Sequence, residues 1–171
     1  MVDDDDKVLG AAEKMEVHEK GLMHRAFSIF IFNSRKEMLL QQRALNKYHS
    51  SGLWSNACCS HPNPYEDTRL AAERRLKEEM GFWTPLQKLF DFAYKVTFEN
   101  GLTENEFDHV FLGKYDGEIK MNPEEVINYS FKPMKQIKHE LKEIPGIYTA
   151  WFHIAFPKIE SWLEKDLLAK R

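Results

Sequence analysis

Hydrophobic and polar positions change period several times along this chain, and each change predicts an element. Residues 8–20 (VLGAAEKMEVHEK) have helix-forming composition but a poor apolar stripe, and Gly21 closes them, so a short helix or ordered arm is expected. From His24 to Phe32 β-branched and aromatic residues alternate at Phe27, Ile29 and Ile31, which predicts a strand. A polar turn over 33–36 and an apolar return from Met38 to Arg43 complete a hairpin. The polar stretch ALNKYHSSG is a loop, and it leads into WSNACCSHP, an extended segment that Pro62 ends. Between Tyr65 and Met80 the period becomes helical: Glu66 and Asp67 open the helix, Leu70, Ala71, Leu76 and Met80 form its apolar face, and Gly81 stops it. Leu86 to Phe98 reads as one strand or two short ones, Asn100-Gly101 as a turn, and Phe107 to Leu112 as an apolar strand that Glu104 and Glu106 lead into. A strand from Val126 to Phe131, a helix from Pro133 to Ile144 and a closing helix from Trp151 to Leu168, kinked or restarted near Pro157, complete the chain. With no repeat and no linker, these elements predict a single α+β domain: an α/β/α sandwich around a mostly antiparallel or mixed sheet.

Composition removes several classes of function. The chain has 171 residues, 43% of them hydrophobic, enough for one sizeable core. Its first seven residues, MVDDDDK, read as the remnant of an expression tag, which leaves residues 8–171 as the domain. Without that run the charges balance, so no nucleic acid and no anionic membrane surface is expected as a bulk partner, although a local cluster of Arg and Lys could hold a small anion. No apolar run is long enough to span a bilayer and no signal peptide is visible, so a cytoplasmic location is expected, with the protein a monomer. Cys58 and Cys59 are adjacent and without a third cysteine to pair with, which also fits a reducing compartment.

Candidate chemistry gathers in a few places. Cys59 and His61, two apart in an extended segment, point to one side, where a thiol and an imidazole can share a pocket; such a pair is also often inert core. Arg75 and Glu79 lie four apart on one helical face, which by itself is no more than a surface ion pair. Glu104 and Glu106, at i and i+2 of a strand, repel each other unless a cation lies between them or one keeps its proton; a charged sheet edge is the plainer alternative. Lys47 follows Arg43 closely enough to form a cationic pair with it.

The strings HRAFSIFIFN, NACCSHP, RRLKEEMG, ENEFDHVF and a tryptophan near the C-terminus, taken together and in this order, resemble type I isopentenyl-diphosphate delta-isomerases of the Nudix superfamily over residues 14 to about 165. The resemblance implies a Nudix-like fold, Cys59 as catalytic thiol, and His18, His24, His61, Glu104 and Glu106 as ligands of one divalent metal, zinc or manganese. It also implies Tyr94 as hydrogen-bond partner of the catalytic glutamate, Glu106, and Trp151 as the indole facing a carbocation. Three imidazoles and two carboxylates suit a borderline cation, which would also relieve the repulsion between Glu104 and Glu106. His49, His109, His139 and His153 fall outside this set and are expected to be structural or exposed.

The Nudix hydrolase box, G-x5-E-x7-R-E-U-x-E-E-x-G-U, lies over this chain with Ser60 at the first Gly and Arg75 at the first Glu of its core. Exchanging that carboxylate for a guanidinium removes a metal ligand and adds positive charge, which favours holding a diphosphate over cleaving it. Arg43, Lys47 and Arg75, with Lys14 from the arm, are the expected diphosphate clamp, and the resemblance implies Glu79 as the ligand of a Mg²⁺ carried with the diphosphate. The expected substrate is a small isoprenoid diphosphate. The expected reaction interconverts isopentenyl and dimethylallyl diphosphate, with Glu106 protonating one face of the alkene and Cys59 taking a proton from the other. A Nudix pyrophosphohydrolase acting on a nucleoside diphosphate derivative and a metal-stabilised binding module are the alternatives.

Overall fold

The computed structural model describes residues 1–169. Its elements follow in the order α1 (Lys14–Lys20), β1 (His24–Phe32), β2 (Glu37–Arg43), β3 (Trp54–Asn56), β4 (Cys58–Ser60), α2 (Thr68–Met80), β5 (Gln87–Thr97), β6 (Thr103–Lys114), β7 (Val126–Pro133), α3 (Met134–Glu143) and α4 (Ala150–Ala169). The expected elements are all present, with some changes of detail. Leu86 to Phe98 resolves into one strand, and β6 reaches back to include both glutamates. α4 runs through Pro157 as one helix. Leu70 stands on the exposed side of α2, and Ala72 takes its place among the buried residues.

The strands form one mixed seven-stranded sheet: β3, β2, β1, β6 and β5 lie in that order, β4 pairs with β1, and β7 pairs with β2. β1 and β6 are parallel, and the other pairings are antiparallel. One face of the sheet carries Phe27, Ile29, Ile31, Cys58 and Phe111 against Ala71, Ala72, Leu76 and Met80 of α2. The other carries Phe30, Met38, Leu40 and Val110 against Ile137 of α3 and Phe152, Phe156 and Ile159 of α4. Each fully buried Leu, Ile or Phe contributes about 1.5–3 kcal/mol, so both layers are anchored well away from the polar end of the sheet. At the end of α2 the chain must turn in the left-handed region, and Gly81 does so at φ 74°; a Cβ there would lie 2.1 Å from the Lys120 carbonyl oxygen, so only glycine fits.

Residues 1–7, set aside above as a tag remnant, lie against the domain. Val2 bridges Val8, and Asp6 accepts from Arg25 at 2.7 Å and lies 3.0 Å from His109. No described helix is long and apolar enough to cross a membrane.

Candidate active site

Strand register assembles the site. β1 pairs in parallel with β6 so that His24 lies beside Glu106, and β5 pairs antiparallel so that Tyr94 lies on the other side of Glu106. β4 pairs with β1 at Ser28 and Cys59, two pleats further along the same face. Because side chains alternate across a strand, His24 and Ser28 of β1, Glu104, Glu106 and Asp108 of β6, Tyr94 and Cys59 all emerge on one side. Cys58 therefore points into the core on the other side, which separates the fates of the two adjacent thiols.

Four expected ligands, His18, His24, His61 and Glu106, form one group whose donor atoms lie within 4.8 Å of one another, while Glu104 groups with His18 and His49. The imidazoles are oriented for a cation. His18 Nδ1 lies 2.6 Å from the Lys14 carbonyl and His24 Nδ1 2.9 Å from that of Leu22. A carbonyl only accepts, so both Nδ1 atoms carry the hydrogen and both Nε2 atoms present bare lone pairs. His18 Nε2 is buried with no partner, and His24 Nε2 lies 3.2 Å from His61 Nε2. Ring nitrogens turned on each other beside a buried carboxylate fit a divalent ion.

Electrostatics divide the two glutamates. Burial works against charge on Glu106, but the neighbouring His24 and His61 imidazoles outweigh it and hold the carboxyl well below the usual range, with His61 Nε2 3.0 Å from Glu106 Oε1. Glu104 is pushed up to about 9 by burial and by the Glu106 charge. Tyr94 spans the pair, its hydroxyl donating to Glu106 Oε2 at 2.6 Å with Glu104 Oε2 at 3.1 Å. Burial lowers His61 to about 4, leaving it a neutral donor.

Cys59 donates its S–H to Asn56 Oδ1 at 3.0 Å, and the Asn56 amide is fixed by donating to the Ile29 and Cys58 carbonyls. Its thiol is pushed up to about 12, by burial first and then by the nearby Asp108 carboxyl. Burial thus favours the protonated Cys59 thiol, while the flanking imidazoles favour the charged Glu106 carboxylate. Cys59, Glu106, Tyr94 and Trp151 line one pocket. Trp151 is anchored by its indole N–H donating to Ser55 Oγ at 2.8 Å, and the Arg43 guanidinium lies 5.0 Å over its ring, so the indole face already accommodates a cation.

A second pocket, contiguous through Lys14, Arg43, Tyr48, Cys59 and Ser60, collects Lys47, Arg75, Glu79 and Glu125. Four cations face two carboxylates there. Arg75 donates to Glu79 Oε1 at 2.7 Å and to Glu125 Oε1 at 3.3 Å, and Lys47 is also bound to Glu125. Lys14 is held below the ordinary lysine value by burial and then by Arg43, Lys47 and Arg75. An excess of positive charge lining a pocket is an anion site. The pair Arg75–Glu79, which spacing alone reads as superficial, is therefore an internal one: Glu79 is 4% exposed and its carboxyl is raised by burial.

Several residues of this region carried no sequence signal that was recognised. Glu125 falls between Pro123 and the strand from Val126, where nothing local marks it. Asp108 was taken as an ordinary member of an apolar strand, yet it is buried, accepts from Ser28 Oγ at 2.7 Å and is pushed up to about 8 by burial and the Glu106 charge. His49, expected to be structural or exposed, is buried 3.3 Å from Glu104.

Fold and donor set together define a Nudix-fold protein whose carboxylates have been redistributed. A NUDIX domain model matches residues 22–152. Among solved structures, the MutT protein from Methanosarcina mazei Go1 superposes with a TM-score of 0.68 at 21% identity, covering 84% of this chain and 95% of that one. The MutT Nudix hydrolase from Burkholderia pseudomallei gives 0.62 at 18%, covering 79% and 96%. At such identities these matches establish the fold alone. The chain belongs to the isopentenyl-diphosphate Delta-isomerase family: it is 47% identical to the protein of that name from Pectobacterium atrosepticum, over 95% of this chain and 90% of its relative. It is 48% identical to that of Serratia proteamaculans, over 89% and 85%.

Proposed function

We infer that this protein interconverts isopentenyl and dimethylallyl diphosphate by adding a proton to one carbon of the alkene and removing one from another. The observation that carries this reading is the joining of two pockets: one with a thiol, a glutamate and an indole, the other with an excess of cations. A small substrate with a charged head and a short hydrocarbon tail matches that pair.

Arg43, Lys47, Arg75 and Lys14 bind the diphosphate, and Glu79 faces the Mg²⁺ it carries. Glu125, ion-paired with Lys47 and Arg75, gives up these partners as the phosphate oxygens arrive. His18, His24, His61, Glu104 and Glu106 would hold the divalent ion, zinc or manganese; when bound, it supplies positive charge that keeps both glutamates in place. Protonating an unactivated alkene generates a tertiary carbocation, which water would trap, so the buried walls and the Trp151 ring serve to exclude water and to face the cation. Cys59 and Glu106 hold one transferable proton between them. The protonated member gives its proton to the terminal carbon, the C=C pair forms the new C–H bond, and the charged member takes a proton from the adjacent methylene, whose C–H pair becomes the new double bond. Reversal begins from the exchanged state. Tyr94 positions Glu106, and Asn56 positions Cys59.

Cys59→Ala and Glu106→Gln should each lower kcat by at least about 10²-fold, the range for a positioned proton carrier. Near-normal turnover in either, with metal content unchanged, would remove the assignment. The arginine at position 75 speaks against the pyrophosphohydrolase reading, which release of inorganic phosphate from a nucleotide panel would support instead.

A further inference from the structure

His49 sits in the loop after β2, which the left-handed Ser50 (φ 51°) and Gly52 (φ 72°) turn back on itself. Its ring is clamped, stacked on Phe98 at 4.5 Å and 12° and meeting Trp151 edge-on at 5.7 Å. The side chain is 7% exposed, yet Nε2 has no hydrogen-bond partner. A buried polar atom without a partner is costly, and a clamped ring cannot turn to find one. That nitrogen lies 3.3 Å from Glu104 Oε1, and His49, Glu104 and His18 bring their donor atoms within 4.8 Å of one another.

The two donor groups share His18, whose Nδ1 is committed to the Lys14 carbonyl. Its single remaining lone pair can serve only one ion, so the groups cannot be two separate centres that are filled together. Donors bound at about 2.1 Å to one octahedral ion stand about 3 Å apart when adjacent and about 4.2 Å apart when opposite. Within each group the donors are close to that span, and the shared His18 joins one group to the other.

We propose that His49 is a ligand of the metal centre, making it a six-donor cage of His18, His24, His49, His61, Glu104 and Glu106. This rests on the reading above that the buried His and Glu set holds a divalent ion. A cage filled by six protein donors leaves no position for a substrate atom, so the work on the alkene falls to the side chains around it.

The test is zinc X-ray absorption on the Zn²⁺-loaded protein, counting imidazoles from their outer-shell scattering, with Zn²⁺ affinity measured by chelator competition. His49→Ala is compared with His49→Phe, which keeps the ring against Phe98 and removes only the donor. Four imidazoles in the wild type, three in the variants and affinity at least tenfold weaker are the expected results. A wild-type count of three overturns the proposal by itself, as does a His49→Phe protein with unchanged count and affinity within twofold. Weaker affinity with three imidazoles throughout would confine His49 to supporting Glu104 and equally overturn ligation. A wild type that holds no Zn²⁺ refutes the metal centre itself, an outcome separate from the others.

Discussion

Replacing Tyr94 by Phe removes one oxygen from the buried end of the sheet and leaves the ring in place. That oxygen donates to Glu106 at 2.6 Å and lies 3.1 Å from Glu104, and among the described residues no other tyrosine is hydrogen-bonded to either. A hydrogen bond to a charged group is worth about 1.5–3 kcal/mol. If that bond fixes the Glu106 carboxyl for proton transfer, its loss raises the barrier by the same amount, and at about 1.36 kcal/mol per decade kcat falls about 10- to 150-fold. KM should change little, because the anion pocket is untouched. The sign of the pH effect follows too: a donor stabilises the carboxylate, so removing it raises the carboxyl's pKa, and the limb of the kcat profile that reports ionised Glu106 moves to higher pH. The assay follows the allylic product by NMR at saturating substrate, after metal content has been matched between proteins. A kcat within threefold of wild type, or a limb that stays in place, would refute the role given to Tyr94.

Arg75→Ala should raise KM for the diphosphate and also destabilise the fold, because Glu79 loses its 2.7 Å partner; breaking such a buried pair costs about 3–5 kcal/mol, and the low end applies because Arg75 still reaches solvent. Urea denaturation should show that loss, and Glu79→Gln in the same chain should recover part of it; equal stability of wild type and Arg75→Ala contradicts the internal pairing. Zn²⁺ and a proton compete for Glu104, raised to about 9, so apparent Zn²⁺ affinity measured by chelator competition should climb with pH from 6 towards 9. A flat profile would place Glu104 outside the centre. Asp108, pushed up to about 8, binds a proton more tightly folded than unfolded, so its contribution to stability is present at low pH and is lost as pH rises through about 8. Asp108→Asn should therefore gain in Tm relative to wild type between pH 6 and pH 9; a constant difference rules out the buried carboxyl as the cause.

The fold was largely legible because its signals are local. Alternation at Phe27, Ile29 and Ile31 and the stop at Gly81 depend on neighbours in sequence, and both are where the pattern puts them. Leu70 misled because an exposed leucine on a helix is common, and only packing against the sheet shows that Ala72 occupies the inner face. The site was legible where residues fall in recognisable strings, as with Cys59 in NACCSHP and the two glutamates of ENEF. Protonation states were not: whether Glu106 is charged depends on imidazoles brought from α1, β1 and the segment after β4. Glu125 and His49 were invisible for the same reason. One is defined by Lys47 and Arg75 from other elements, the other by a loop that turns inward, and neither property is written in the residues alongside.

Transfer of a proton to and from carbon is most directly tested by incubating the protein with isopentenyl diphosphate in D₂O, with Mg²⁺ and Zn²⁺ or Mn²⁺, and following both isomers by NMR. The expected result is deuterium on carbon in the allylic product, appearing with wild type and lost with Cys59→Ala. Intact substrate with no deuterium on carbon, or inorganic phosphate released in place of the isomer, would contradict it.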